Sequence, residues 1–131
     1  MRVALRRLKR RPEFLRVAGS KRKWAAPGLV LQVGRDHIRE GEGDRLDCGL
    51  GFTVSRKVGM AVTRNRAKRR LRAAAEQVFP LHAAPGRDYV LIGRKATVDR
   101  PFPDLVEDMK TALRRLDAWR EDWREDGEET G

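Results

Sequence analysis

The chain predicts one domain that mixes strands with amphipathic helices, and three observations carry that prediction. Leu46, Cys48, Leu50, Phe52 and Val54 alternate with Asp47, Gly49, Gly51, Thr53 and Ser55, a strand-like period of two. Ala67, Leu71, Ala74, Ala75 and Val78 fall on one stripe of a helix at about 100° per residue. RDYVLIGRK (87–95) is a near-continuous apolar run suited to a strand buried on both faces. At 131 residues there is room for a single modest core.

Taken in order, residues 1–23 carry ten basic side chains and one acid, Glu13. Within them RRPEFLRVAGS has helix punctuation. Pro12 suits the first helical position, Glu13 the positive end of the helix dipole, and Gly19 the far cap. Phe14, Leu15, Val17 and Ala18 give it an apolar face over only two turns, so its stability must come from packing. Pro27 and Gly28 introduce a strand across 29–35, and the charged segment 35–45 reads as a solvated hairpin loop. The alternating strand follows, with one apolar face and one small, polar face. Gly49 and Gly51 on the polar face suit either close approach of a ligand backbone or a bulge. SRKVG (55–59) is a turn, and a helix is predicted over 60–79, ended by Pro80, Pro85 and Gly86. After the strand at 87–95, Asp99 or Pro101 opens a last amphipathic helix running to Trp119, with Leu105, Met109, Ala112, Leu113 and Leu116 on one side. Beyond it, residues 120–131 form an acidic tail whose low hydrophobicity predicts disorder.

The charge balance points to a partner. Thirty Lys and Arg against 19 Asp and Glu give a net charge of +11, which fits a polyanion, either nucleic acid or an acidic membrane surface. No acid lies between Asp47 and Glu76, and Arg64, Arg66, Lys68, Arg69, Arg70 and Arg72 fall within nine residues. On the helix wheel Arg64, Lys68 and Arg72 form a ridge beside the apolar stripe. Asn65 and Arg69 flank it, and Arg66 and Arg70 lie on the far edge. Guanidinium forks bind two phosphate oxygens at once and lysine acts as a point charge, here at helical spacings of about 6 Å. Asn65 adds an amide that both donates and accepts, a choice that suits a directed backbone or base-edge contact. Ordinary solvated helix faces interleave the two signs, and this one does not.

Several classes are disfavoured. The basic helix has a narrow, alanine-rich apolar face without the bulky anchors of a membrane-surface helix, and no apolar run nears the ~20 residues of a membrane span. Cys48 is the only cysteine and sits in the alternating strand, so it reads as a structural thiol in a reducing compartment. With His37 and His82 as the only histidines, no zinc spacing can be assembled. The basic N-terminus lacks the apolar stretch of a signal peptide, which makes a cytoplasmic location the default expectation. The acids fall mostly in loops, the last helix and the tail, and the histidines in expected loops. Neither a carboxylate cluster for magnesium nor a histidine base is evident, so a protein-borne nuclease of the usual kinds is not expected. A DNA-binding regulator would need a helix-turn-helix or a dimerisation element, and the pattern has neither.

VTRNRAKRRLR resembles the arginine-asparagine-arginine signature of the bacterial ribonuclease P protein subunit. FTVSRKVGMAV, RLKRRPEFLRV and DYVLIGRKA match other segments of that family in the family's order, and the resemblance covers roughly residues 7 to 116. It implies an α+β fold, with a sheet of about four strands packed by helices and a left-handed βαβ crossover holding the basic helix, as in the second domain of ribosomal protein S5. The general rule for such crossovers gives the right-handed form. It implies a single RNA-binding domain over 1–119. The expected partners are a catalytic RNA, at one protein copy per RNA, and precursor tRNA, whose 5′ leader the assembly removes. Catalysis would belong to the RNA with its magnesium ions, and the protein would hold no cofactor of its own. Arg64, Asn65, Arg66, Lys68, Arg69 and Arg72 match the signature that faces the RNA. Phe14, Val17, Arg56 and Lys57 match the leader cleft between the first helix and the sheet's open face, where an aromatic can stack on an unpaired strand. Phe14 also suits ordinary core packing. Ala18 and Gln32 stand where relatives commonly carry bulkier residues. The competing class is a ribosomal or other structural RNA-binding protein with no linked reaction.

Overall fold

A computed structural model describes residues 2–34 and 47–121. The loop expected over 35–45 lies outside the described residues, as does the tail beyond Glu121. In chain order the elements are β1 (Ala4–Arg7), α1 (Arg11–Gly19), β2 (Lys23–Ala25), β3 (Leu29–Val33), β4 (Asp47–Thr53), a 3-10 turn (Arg56–Val58), α2 (Ala61–His82), β5 (Asp88–Gly93), α3 (Lys95–Asp99) and α4 (Phe102–Arg115). The strands form one mixed sheet in the order β1-β4-β5-β3-β2. β4 pairs parallel with both β1 and β5, while β3 pairs antiparallel with β5 and β2. α2 is therefore the crossover between the neighbouring parallel strands β4 and β5, as such a connection requires.

One face of the sheet carries most of the core. Cys48, Leu50, Tyr89, Leu91, Leu29, Leu31 and Val33 pack there against Ala67, Leu71, Ala74, Ala75 and Val78 of α2 and Leu105, Met109, Ala112 and Leu113 of α4. All five residues of the α2 stripe are buried. The other face holds a smaller cluster of Leu8, Val17 and Val90, with Phe14 and Ile92 packed against it under α1. Cross-strand register sorts the side chains between these faces. Leu5 pairs with Cys48 and Arg7 with Leu50, on the main core side. Arg6 pairs with Gly49 and Gly49 with Asp88, on the α1 side.

The fold corrects the sequence reading at several points. There are five strands where about four were expected, because β1 and β2 are short edge strands whose residues are mostly exposed. The last helix spans 102–115, shorter than expected, and α3 takes part of the ground assigned to its start. α2 runs through Pro80 to His82, and tertiary contacts hold this last turn. Phe79 is buried edge-on against Tyr89 at 5.1 Å between ring centroids, and the Pro80 carbonyl accepts bonds from Val3 N–H (2.7 Å) and Arg120 Nη2 (3.0 Å). His82, expected in a loop, is the final helical residue and stacks on Trp119 at 4.1 Å. β4 pairs continuously from Gly49 to Thr53, so the glycines mark no bulge.

A polar clasp fixes the corner between α3 and α4. Asp108 accepts from Arg100 Nε (2.5 Å), Arg100 Nη2 (3.0 Å) and Gly28 N–H (2.9 Å). Its carboxylate raises the pKa of the Arg100 guanidinium, chiefly through this hydrogen bonding. Thr97 Oγ1 accepts from Arg94 N–H (2.8 Å) and donates to the Gly28 carbonyl (2.6 Å). A side chain at Gly28 would sit 2.6 Å from the Asp108 carboxylate, so the corner needs glycine there.

Candidate nucleic-acid interface

The basic helix begins at a turn built to hold it. Gly59 adopts φ 154°, a conformation side-chain-bearing residues rarely take. The carbonyl of Met60 then accepts from Arg64 N–H at 2.9 Å. No side chain caps this end, and the first turn contains no acid. The positive end of the helix dipole is thus left to add to the cations around it. Arg56 and Lys57 stand exposed on the 3-10 turn just before it.

Packing of the Ala67–Val78 stripe onto the sheet sorts the basic side chains into two groups. Arg70 Nε donates to the Thr97 carbonyl at 2.8 Å, Arg70 Nη2 donates to the Arg100 carbonyl, and Arg66 Nε reaches the Val98 carbonyl at 3.4 Å. These carbonyls lie at the end of α3, where a helix leaves acceptors unfilled. Arg70 is therefore a structural tie, and Arg66 is partly one. The other group faces away from α3. Asn65 and Arg69 are exposed, and Arg64, Lys68 and Arg72 are half-buried along the ridge. Nε of Arg64 and Nε of Arg72 are buried with no hydrogen-bond partner among the described residues. Arg72 also lies over Phe52, its guanidinium carbon 5.8 Å from the ring centroid, and Arg7 of β1 sits at the same distance from that ring. Sequence reasoning missed Arg7, because residues 4–7 carry no strand-like alternation.

The α1 face is arranged differently. Phe14 is half-buried against Leu8, Val17, Val90 and Ile92. A Cβ at Gly51 would lie 2.5 Å from the Phe14 ring, and one at Gly49 would overlap the Asp88 carboxylate. The glycines thus make room for this chain's own side chains instead of a ligand backbone. Val17 is only 1% exposed and supports Phe14 from below, without a surface of its own. Ala18 and Gln32, with Lys21, Arg22 and Lys23, line a cavity of about 280 Å³ beside α1. Arg6 is enclosed by acids: Asp88 at 3.0 Å, and Glu13 and Asp47 each at 3.7 Å. Glu13 accepts the N–H groups of Arg10 (2.9 Å) and Lys9 (3.1 Å), which holds its carboxyl below the usual range, with Arg6 and Arg16 adding to the effect.

Other chemistry is sparse among the described residues. Cys48 is fully buried, and desolvation, with Asp47 and Asp88 nearby, pushes its thiol up to about 12. It stays protonated and inert at neutral pH. No group of three or more His, Cys, Asp or Glu among the described residues could hold a metal ion. No described helix is long and apolar enough to cross a membrane.

A sequence profile of the family described as Ribonuclease P matches residues 4–117. The chain is 54% identical to the ribonuclease P protein component of Paramagnetospirillum magneticum, over 90% of this chain and 87% of that protein. It is 48% identical to that of Ruegeria pomeroyi, over 85% and 86%. Among solved structures it is similar to the RNase P protein from Thermotoga maritima, with a TM-score of 0.63 and 26% identity, covering 84% of this chain and 96% of that one.

Proposed function

The chain belongs to the ribonuclease P protein family, and from that premise we propose that α2 docks the catalytic RNA while the α1 face receives the 5′ leader of precursor tRNA. The observation that carries this reading is the row of α2 cations that have no carboxylate partner among the described residues, in a stretch with no acid between Asp47 and Glu76. Arg64, Asn65, Arg66, Lys68, Arg69 and Arg72 contact the RNA, chiefly its phosphates, and fix the register of the complex. Phe14 offers a stacking surface for an unpaired leader, and Arg56 and Lys57 hold the leader's phosphates. Val17 serves the same cleft by seating Phe14. Hydrolysis of the phosphodiester belongs to the RNA and its magnesium ions, with one protein copy per RNA, in the cytoplasm. A structural or ribosomal RNA-binding role without a linked reaction is not favoured by the family membership.

The test is reconstitution. The protein is mixed with its own organism's ribonuclease P RNA at low magnesium, and cleavage of precursor tRNA is followed. Restored cleavage is expected, and none would refute the assignment. In the same assay Phe14→Leu is expected to lower the preference for leader-bearing over mature tRNA by about tenfold, the loss of one stacked base. Affinity for the catalytic RNA should not change. Equal losses in both would make Phe14 a packing residue alone.

A further inference from the structure

Two guanidinium groups converge on one aromatic ring at the edge of the sheet. Arg7 reaches it from β1, where its register beside Leu50 puts it on the α2 side. Arg72 reaches it from the C-terminal end of the α2 ridge. Phe52, half-buried near the end of β4, is the ring that both approach. Each guanidinium carbon is 5.8 Å from the ring centroid, so the two can be no further apart than twice that distance. Among the described residues neither arginine has a carboxylate within ion-pair range, and Nε of Arg72 is buried without an acceptor.

The ring's negative face attracts each cation, yet it neither cancels their mutual repulsion nor fills their donor positions. An anion with several oxygens does both. Arg72 belongs to the ridge already read as RNA-facing, so the anion at hand is a phosphodiester of the same strand. We propose that Arg7, Phe52 and Arg72 form a phosphate-binding station that carries the docked RNA from α2 onto strand β1. The proposal rests on the reading of α2 as the docking helix, and it adds a contact from outside that helix.

The experiment is a salt titration of binding to the ribonuclease P RNA, comparing the wild type with Arg7→Gln, Arg7→Lys, Phe52→Leu and Arg64→Ala. Arg115→Gln, on exposed surface beside Trp24, controls for loss of one charge. Each neutralised phosphate steepens the log–log salt dependence by somewhat under one. Arg7→Gln is therefore expected to reduce the slope by about one and to weaken binding several-fold near 0.15 M salt, with Arg7→Lys restoring the slope. Phe52→Leu keeps the apolar packing and removes the ring; it is expected to weaken binding without changing the slope. Arg7 is exposed, so the two Arg7 variants should keep the wild-type melting temperature. If Arg7→Gln binds as the wild type and Arg64→Ala does not, the station is wrong and α2 docking stands. If Arg64→Ala also binds as the wild type, the docking reading falls and the station with it.

Discussion

Arg6 and Arg7 are neighbours on one strand, and they face opposite worlds. Arg6 points to the α1 side, where Asp88, Glu13 and Asp47 surround it. Arg7 points to the α2 side, where it shares the Phe52 ring with another arginine, Arg72. Strand geometry forces this alternation, since successive side chains leave on opposite faces. The difference lies in what each face supplies. On the α1 side the chain spends acids to neutralise its own cations, and the charge there is structural. On the α2 side the 48–75 stretch supplies none, so no acid from that stretch offsets the charge. Net charge alone cannot separate these two uses of arginine; the carboxylate neighbours do.

The contrast can be attacked from both sides. The largest effect is expected from Arg64→Ala combined with Arg66→Ala, which should weaken RNA binding on the order of 100-fold at physiological salt as two phosphate contacts are lost. Because Arg66 makes only a long bond to Val98, the melting temperature should fall little. A large fall in stability with unchanged RNA binding would reverse the assignment of this face. A smaller effect of the opposite kind is expected from Arg6→Ala. It should cost about 1 kcal/mol of stability by denaturant midpoint, since the ion pairs to Asp88, Glu13 and Asp47 are removed, while RNA affinity stays the same. Arg7→Gln should show the mirror image. The smallest effect concerns acid. The Glu13 carboxyl is held below its ordinary value of 4.5, so its contribution is complete above that pH and is lost as the pH falls through the lower folded value. Protection of the Lys9 and Arg10 amides against exchange, relative to their intrinsic rates, should therefore fall only below about pH 4.5, and Glu13→Gln should remove that dependence.

Much of the main core was legible because its pattern is local. The α2 stripe and the alternation of β4 follow from residue spacing alone, and every stripe residue is buried. β1, β2 and α3 were not legible, because long-range pairing holds them. Residues 4–7 become a strand by lying along β4 more than forty positions away. α3 rests on Thr97 bonding Gly28, 69 residues distant. Pro80 stops an isolated helix, yet here Phe79 and the bonds to the Pro80 carbonyl carry the helix past it. The candidate site was legible as a set of cations on a wheel. Which of them are free was not, since the carbonyls that occupy Arg70 come from Thr97 and Arg100. Arg7 stayed hidden because its strand did.

The Pro80 carbonyl joins the two described ends of the chain, taking Val3 N–H from one and the Arg120 side chain from the other, while Arg120 N–H bonds the His82 carbonyl at 2.6 Å. During synthesis the cationic helix therefore leaves the ribosome well before α4 and Arg120, which complete its packing. Closure of this corner waits on contacts between residues far apart in sequence, a slow class of folding step.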